Sequence, residues 1–545
     1  MKGNCLNYIY PFILVIAITA LYHQVIFNGF SGLDDLLMIE ENWDRLQHLS
    51  HIKTAFTEDV FIQAQGSYYR PIQLLSYMPD VYFSNSELPV AKVFFQINIL
   101  FFILAFIQLF FFLKEFSFGI HYRFLFSLFM AIHPALTPAV SWIPGRIDTL
   151  LFIIIISAFW AFIRFIKTHK KRWVITYLTL FALGMFTKET AIIIPFISLL
   201  LVWFFQSQKN DSQVNEIWSW RKSIDIQFWY SIFKTLKNWI INHGYILLGW
   251  VVILVFYFYM RSNALDANSL GIRGMLFHLN NSWQEFIILG AITYLPIKLQ
   301  VFLDITQPFV LYSIPAFLLF LAVPQFLKSR FNYTFFGLTW MLAFILPTTL
   351  SDSLNYHRMF IPFVGMAFVL HTLEFSRIKK SYLIIGLSFL FFWFLYQNIE
   401  FQKAYKNKST FWNNAIESSP NSPFANNGLA WSFHMDHEND SALKYYARVV
   451  ELRPQGENVR MGMALIYEEM GLLQQSDSLL KEEFKATNDS SSVYFCIGQL
   501  FLERGDTLAA IPHLNLGYEV TQYSRNARLY YDTLDLKVRN QLRLD

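Results

Sequence analysis

Two patterns of apolar and polar positions follow one another along the chain. From Tyr8 to about Ile399, long apolar runs recur between short polar breaks, and after Gln402 the residues turn polar and charged. A membrane helix needs about 20 predominantly apolar residues. Runs of that kind predict spans near 8–27, 92–113, 123–140, 147–166, 173–187, 189–206, 245–260, 308–327, 333–349, 359–374 and 381–399. A twelfth stretch, 284–303, is interrupted by Pro296 and reads as re-entrant or interfacial, which leaves about 11 spans. The first run opens on Lys2 and lacks a small-residue cleavage site, so it is expected to remain as an anchor.

Lys and Arg in short loops favour the cytoplasmic side. Lys2, the run Lys167-Thr168-His169-Lys170-Lys171-Arg172, Lys328 with Arg330, and Arg377-Ile378-Lys379-Lys380 are therefore placed inside. The first outer loop, 28–91, then faces outward, together with the turn 141–146 and the tip Thr187-Lys188-Glu189. A full crossing by 284–303 would put Arg377–Lys380 outside, which is why that stretch is not counted.

A period of 34 residues runs through the polar part. Pro420 and Pro454 are one period apart, with Asn488 at the next place, and so are Gly471 and Gly505. Ala430, Ala464 and Gly498 share a register, and so do Leu429, Met463 and Ile497, then Phe433, Tyr467 and Phe501. Ala442, Ser476 and Ala510 share another, and Tyr446, Leu480 and Leu514 a further one. Small residues let paired helices approach, and large ones fill the groove between them. The pattern resembles the tetratricopeptide repeat, with three copies over 423–524, a helix near 404–418 before them and one near 525–540 after. An ordinary helical bundle is the plainer alternative. Such repeats build a concave surface that usually holds a peptide or protein. The expected fold is all-α: a polytopic membrane domain over 1–402, followed by an extracytoplasmic α-solenoid over 403–545.

Composition narrows the function. Of 545 residues, 54% are hydrophobic, 19% aromatic and 15% charged, against about 25% charged in ordinary soluble chains. Mean hydropathy is +0.35. These values exclude a soluble globular enzyme and a disordered chain. The charge balance, 43 − 39 = +4, is too weak to point to nucleic acid. Two cysteines at opposite ends, Cys5 and Cys496, offer neither a disulfide framework nor a thiolate metal site.

The candidate chemistry lies in the loops. Asp34 and Asp35 are adjacent carboxylates just beyond the first span; each suits a base or an ion site, and both also suit a solvated loop. In Tyr68-Tyr69-Arg70-Pro71, the proline stiffens the backbone behind an arginine that suits an anion or an interfacial anchor. His133-Pro134, Thr137-Pro138 and Ser141-Trp142-Ile143-Pro144-Gly145-Arg146-Ile147-Asp148 break the helix near the outer face. Broken backbone at that depth requires protein or a water-filled cavity around it. Arg146 and Asp148 could pair with each other, and His133 could bond a backbone carbonyl. Lys188 and Glu189 split two apolar runs, either as a plain turn or as functional charges at membrane depth. Asn355-Tyr356-His357-Arg358 opens a late span on the same expected side. The orientation rests on other loops, yet it gathers Asp34, Asp35, Arg70, Arg146, Asp148, Lys188 and Arg358 on one face. Acids with several cations at a membrane surface suit a lipid-phosphate substrate and an acid–base step.

With these residues the chain resembles the polytopic glycosyltransferases of the C superfamily. In the order of its parts it is similar to the transmembrane and tetratricopeptide-repeat O-mannosyltransferases and their bacterial relatives. The resemblance covers nearly the whole chain and is weakest over 207–330. It departs at His357-Arg358, where family members usually carry Glu-Arg. It implies a hexosyltransferase that moves a mannose-like sugar from a polyprenyl-phosphate donor to Ser or Thr hydroxyls of proteins, with inversion. It implies Asp34 as the base, with Asp35 orienting the acceptor or holding a divalent cation. Arg70, Arg146, Lys188 and Arg358 would neutralise the leaving phosphate. His133, Asp148, Glu189 and His357 would support them. The lipid-linked sugar already carries an activated leaving group, so Mg or Mn is optional and no cofactor is required. Expected partners are the lipid-linked sugar, an acceptor peptide on the repeats and the bilayer. A bacterial inner membrane is the expected location, or the endoplasmic reticulum in a eukaryote. The rivals are a transporter or flippase of lipid-linked sugars, an assembly scaffold, and a C-superfamily transferase acting on glycan or lipid.

Overall fold

The structure is a computed structural model that describes residues 2–61, 68–209, 216–265, 282–293, 296, 299–302, 309–347, 356–373, 379–455, 459–486 and 490–521. Among them every regular element is helical, apart from an isolated antiparallel bridge between Ile217 and Arg330. The chain divides into two compact units, with Ser31–Leu33 grouped with the residues after Lys406 in the second.

Among the described residues of the first unit, six helices are long and apolar enough to cross a membrane: Cys5–Phe27, Ala91–Phe116, Ile143–Thr168, Glu189–Ser207, Ile226–Ala264 and Lys380–Lys403. A seventh is obtained if Ile120–Ala131 and Pro134–Ser141, bent by 60°, count as one. This is fewer than the 11 expected, and the reason is local. Apolar composition does not guarantee an unbroken helix. Pro134 and Pro138 remove backbone donors and force the bend. Lys171–Thr187 stops at 17 residues where Lys188 turns extended. Phe331–Ile345 has 15 residues; at 1.5 Å per residue it rises about 22 Å, short of the ~30 Å hydrocarbon core. Pro362–His371 has 10 residues. In the interrupted stretch Ser282–Ile292 is helical, and most of 294–308 lies outside the described residues. So do Asn355, Arg377, Asn488 and the helix expected near 525–540.

Aromatic rings fill this unit. Phe102, Phe106 and Phe360 form one buried group, and Phe116, Phe204, Phe336 and Phe368 another. Helices Phe331–Ile345 and Pro362–His371 cross at Gly337 and Gly365, where a Cβ on either would collide with the carbonyl of the other. Small residues at such a crossing let backbones approach when no hydrophobic force separates protein from lipid.

The second unit consists of helical hairpins: Pro423–Met435 with Asn439–Leu452, Val459–Glu469 with Leu473–Ala486, and Ser490–Glu503 with Thr507–Thr521. Lys408–Ser418 packs ahead of the first. Each turn repeats one geometry at the 34-residue period. His437, Gly471 and Gly505 all take positive φ, at 59°, 73° and 78°. The next amides along the chain, of Glu438, Leu472 and Asp506, bond the carbonyls of Phe433, Tyr467 and Phe501 at 2.9, 2.8 and 2.8 Å. These are the long-range bonds of a left-handed helix stop, which favours glycine. The small residues Ala442, Ser476 and Ala510 are wholly buried, as are Ala430 and Ala464. Tyr446, Leu480 and Leu514 fill the space between partners. The unit is therefore a helical repeat of tetratricopeptide-like form.

Candidate active site

The loop between the first two long helices is itself folded. Trp43–Gln47, Ile52–Thr57, Pro71–Leu75 and Met78–Ser84 are short helices, and Leu36–Glu40 forms a π-helical turn directly after Asp35. Such turns occur often at functional sites. Asp35 is buried and Asp34 half-buried. Burial and the neighbouring Asp35 push the Asp34 carboxyl up to about 6, against the opposing pull of Arg70. A carboxylate tuned toward neutral pH is matched to taking a proton there.

Arg70 caps Pro71–Leu75, with proline at the first helical position, where its missing N–H costs nothing. Its guanidinium makes a two-pronged pair with Glu189, at 2.6 and 3.2 Å, and lies over the Tyr68 ring at 4.3 Å. Lys188, in extended backbone between two helices, donates to both oxygens of Asp148 at 2.7 and 2.9 Å. Asp148 sits in the first turn of Arg146–Thr168, where the helix dipole favours an acid. His357 Nε2 approaches the other side of Asp148 at 3.3 Å, and its ring packs against Trp142. Burial holds His357 at about 3, far below the ordinary value, so the imidazole is neutral. A carboxylate can only accept, so the ring carries its hydrogen on Nε2. Arg358 lies within electrostatic reach of Asp148, Tyr68, Arg70 and Glu189. Tyr69 and Tyr257, 5.9 Å apart between ring centres, form an aromatic wall beside Arg70.

The structure therefore brings Asp34, Asp35, Arg70, Asp148, Lys188, Glu189, His357 and Arg358 into one electrostatically connected cluster. Arg146 and His133 are engaged elsewhere. Arg146 does not pair with Asp148: two residues apart on a helix, the side chains point to opposite faces. It is fully buried and bonds Asn98 Oδ1 at 2.6 Å, the Ser76 and Phe94 carbonyls at 2.9 and 3.0 Å, and the carboxylate of Asp80. Its guanidinium also lies 4.9 Å from the Tyr77 ring centre. His133 Nδ1 accepts from the Ala135 amide at 3.2 Å, and its ring packs against Phe363 and Phe394. Asp80 is absent from the sequence-based candidates, although it carries a signal: it is the lone charge between Arg70 and Glu87.

Among the described residues no three His, Cys, Asp or Glu side chains are grouped to hold a metal ion.

No protein-family model and no curated protein matches the chain. Among solved structures, one match is a chain in the crystal structure of the APC/C hetero-tetramer Cut9-Hcn1, at a TM-score of 0.22 and 9% identity, covering 93% of this chain and 97% of that one.

Proposed function

We propose that the chain is a membrane glycosyltransferase that transfers a mannose-like sugar from a polyprenyl-phosphate donor to Ser or Thr hydroxyls, with inversion. The observation that carries this reading is the position of Asp34, a carboxyl raised to about 6, beside Arg70 in a cluster that also contains Lys188 and Arg358. The acceptor oxygen attacks the anomeric carbon, the bond to the lipid phosphate breaks, and Asp34 takes the hydroxyl proton. The cations meet the charge that develops on the departing phosphate. Glu189 and Asp148 hold Arg70 and Lys188 in place, which spares the cost of ordering them at the moment of reaction. Neutral His357 orients Asp148 from the other side. Arg146 contributes by fixing the loop that carries the site, since its donors are occupied by Asp80, Asn98 and two carbonyls.

The cluster is placed on the extracytoplasmic side, and the repeats are assigned to the acceptor. The test is transfer of labelled sugar from polyprenyl-phosphate donors to a peptide library by the purified full-length protein. Labelled peptide that resists organic extraction is the expected result. Donor movement across a bilayer without peptide or glycan labelling would replace the reading with a flippase, and label on glycan or lipid would keep the reaction while changing the acceptor.

A further inference from the structure

A groove of about 640 Å³ opens on the first unit, away from the ion cluster. Its size lies in the ~300–1,000 Å³ range of small-molecule sites. Two helices of membrane-crossing length, Cys5–Phe27 and Lys380–Lys403, form its long walls. Ala17 and Ala20 hollow one wall, Leu395 and Ile399 line the other, and Leu128 and Ile132 close the back where the bent pair breaks. Next to the groove a polar network ties the two helices together. Asn398 donates to the Tyr22 hydroxyl at 2.8 Å and to the Ile132 carbonyl at 3.2 Å. Gln402 donates to Asn398 Oδ1 at 2.8 Å and to the Leu21 carbonyl at 3.2 Å. These bonds fix the two helices relative to each other, so a ligand entering the groove meets a pre-formed shape.

Its two ends differ chemically. The body is apolar, whereas one end carries Lys403 and Lys406 with the amides of Gln24 and Gln402, and among the described residues no acid lines it. Lys403 also reaches Glu400 at 2.6 Å, an exposed pair that water screens. Lys406 is exposed at the rim. Helices that cross a bilayer expose this groove to acyl chains along its length and place the lysines where the helix leaves the hydrocarbon. Lysines near a helix end reach the interface, and a basic side chain at an anionic surface is worth roughly 1 kcal/mol.

We infer that the groove holds a bilayer phospholipid with an anionic headgroup, its chain along Ala17, Ala20, Leu395 and Ile399 and its phosphate at Lys403 and Lys406. The occupant is assigned as a phospholipid rather than the polyprenyl phosphate because the groove shares no residue with the Asp34–Arg70–Lys188 cluster. The inference requires membrane insertion and not the transfer reaction.

The experiment uses the full-length protein in nanodiscs, with lipid retention read by native mass spectrometry on release. Phosphatidylglycerol is compared with phosphatidylcholine for wild type, Lys403→Gln/Lys406→Gln and Ala20→Trp. Wild type should retain phosphatidylglycerol at least about tenfold over phosphatidylcholine, two basic contacts being worth that ratio or more. The lysine double variant should lose the preference, and Ala20→Trp should lose retention of both lipids. The lysines are exposed, so the double variant tests the idea even if Ala20→Trp does not fold. Equal retention of the two lipids by wild type, or an unchanged preference in the lysine variant, overturns the proposal. Displacement of phosphatidylglycerol by an equimolar polyprenyl phosphate would overturn it too, by giving the groove to the donor.

Discussion

The two units differ in how deeply they bury charge. In the first, two ion pairs are almost fully buried: Arg146 and Asp80 expose nothing of their side chains, and Lys188 and Asp148 only 6% and 5%. In the second more of them lie at the surface, as with Arg448 and Glu451 at 44% and 65% exposure, although Glu483 is wholly buried beside Arg460. Removing a charge from water costs several kcal/mol, and a buried pair recovers this only with good geometry and further hydrogen bonds. An exposed pair costs and contributes little. Charge buried in the first unit is therefore kept for position or chemistry, while the helix contacts of the second rest on small residues alternating with large ones at one period.

The largest effect that can test this contrast is catalytic. Asp34→Asn keeps size and polarity but cannot accept a proton at neutral pH. Turnover is expected to fall about 10²–10⁴-fold, with donor affinity little changed, when transfer and donor binding are compared in membranes holding equal protein. A near wild-type rate would move the base to another carboxylate. The pH profile sharpens the point. The active form is the carboxylate, so wild-type turnover should decline as pH falls through about 6. A limb centred near 4 would mean that the base is an unperturbed acid.

Next in size is the buried pair. Arg146→Met leaves Asp80 buried without its cation, at a cost of about 3–5 kcal/mol. Thermal unfolding in detergent should show the loss, and Arg146→Met/Asp80→Leu should recover much of it. A double variant no more stable than the single would mean that the hydrogen bonds to Asn98 and the two carbonyls, rather than the charge pair, carry the stability.

Within the repeats, packing should outweigh charge. Ala442 is wholly buried at a helix contact, and Ala442→Leu should destabilise the unit by about 1–3 kcal/mol through overpacking. Arg448→Ala, which loses the exposed pair with Glu451, should cost under about 1 kcal/mol. Both are read from the helical signal on chemical denaturation of the full chain. An arginine variant that costs more than the alanine variant would erase the distinction drawn between the units.

Much of the repeat geometry was legible before folding. Gly471 and Gly505 marked the turns because a left-handed stop favours glycine, while His437 adopts the same φ without announcing it. The apolar runs were legible too, but their continuity was not. The bend at His133–Pro134 and the short helices Phe331–Ile345 and Pro362–His371 reduced the number of full-length spans, because hydropathy sums composition and does not register where hydrogen bonding stops. Asp80 stands out as the lone charge between Arg70 and Glu87, but nothing next to it in the chain names Arg146 as its partner.

The sequence by itself determined the apolar runs, the 34-residue register and which charged side chains lie between helices. These follow from local composition, which adds up along the chain. The tertiary structure alone decided that Arg146 meets Asp80 rather than Asp148, that Lys188 and His357 share one carboxylate, that Arg70 meets Glu189, and that two distant helices enclose a groove. Such pairings depend on how each helix is rotated and how close its small residues let the next one come. A modest rotation exchanges one partner for another while leaving the hydropathy pattern unchanged.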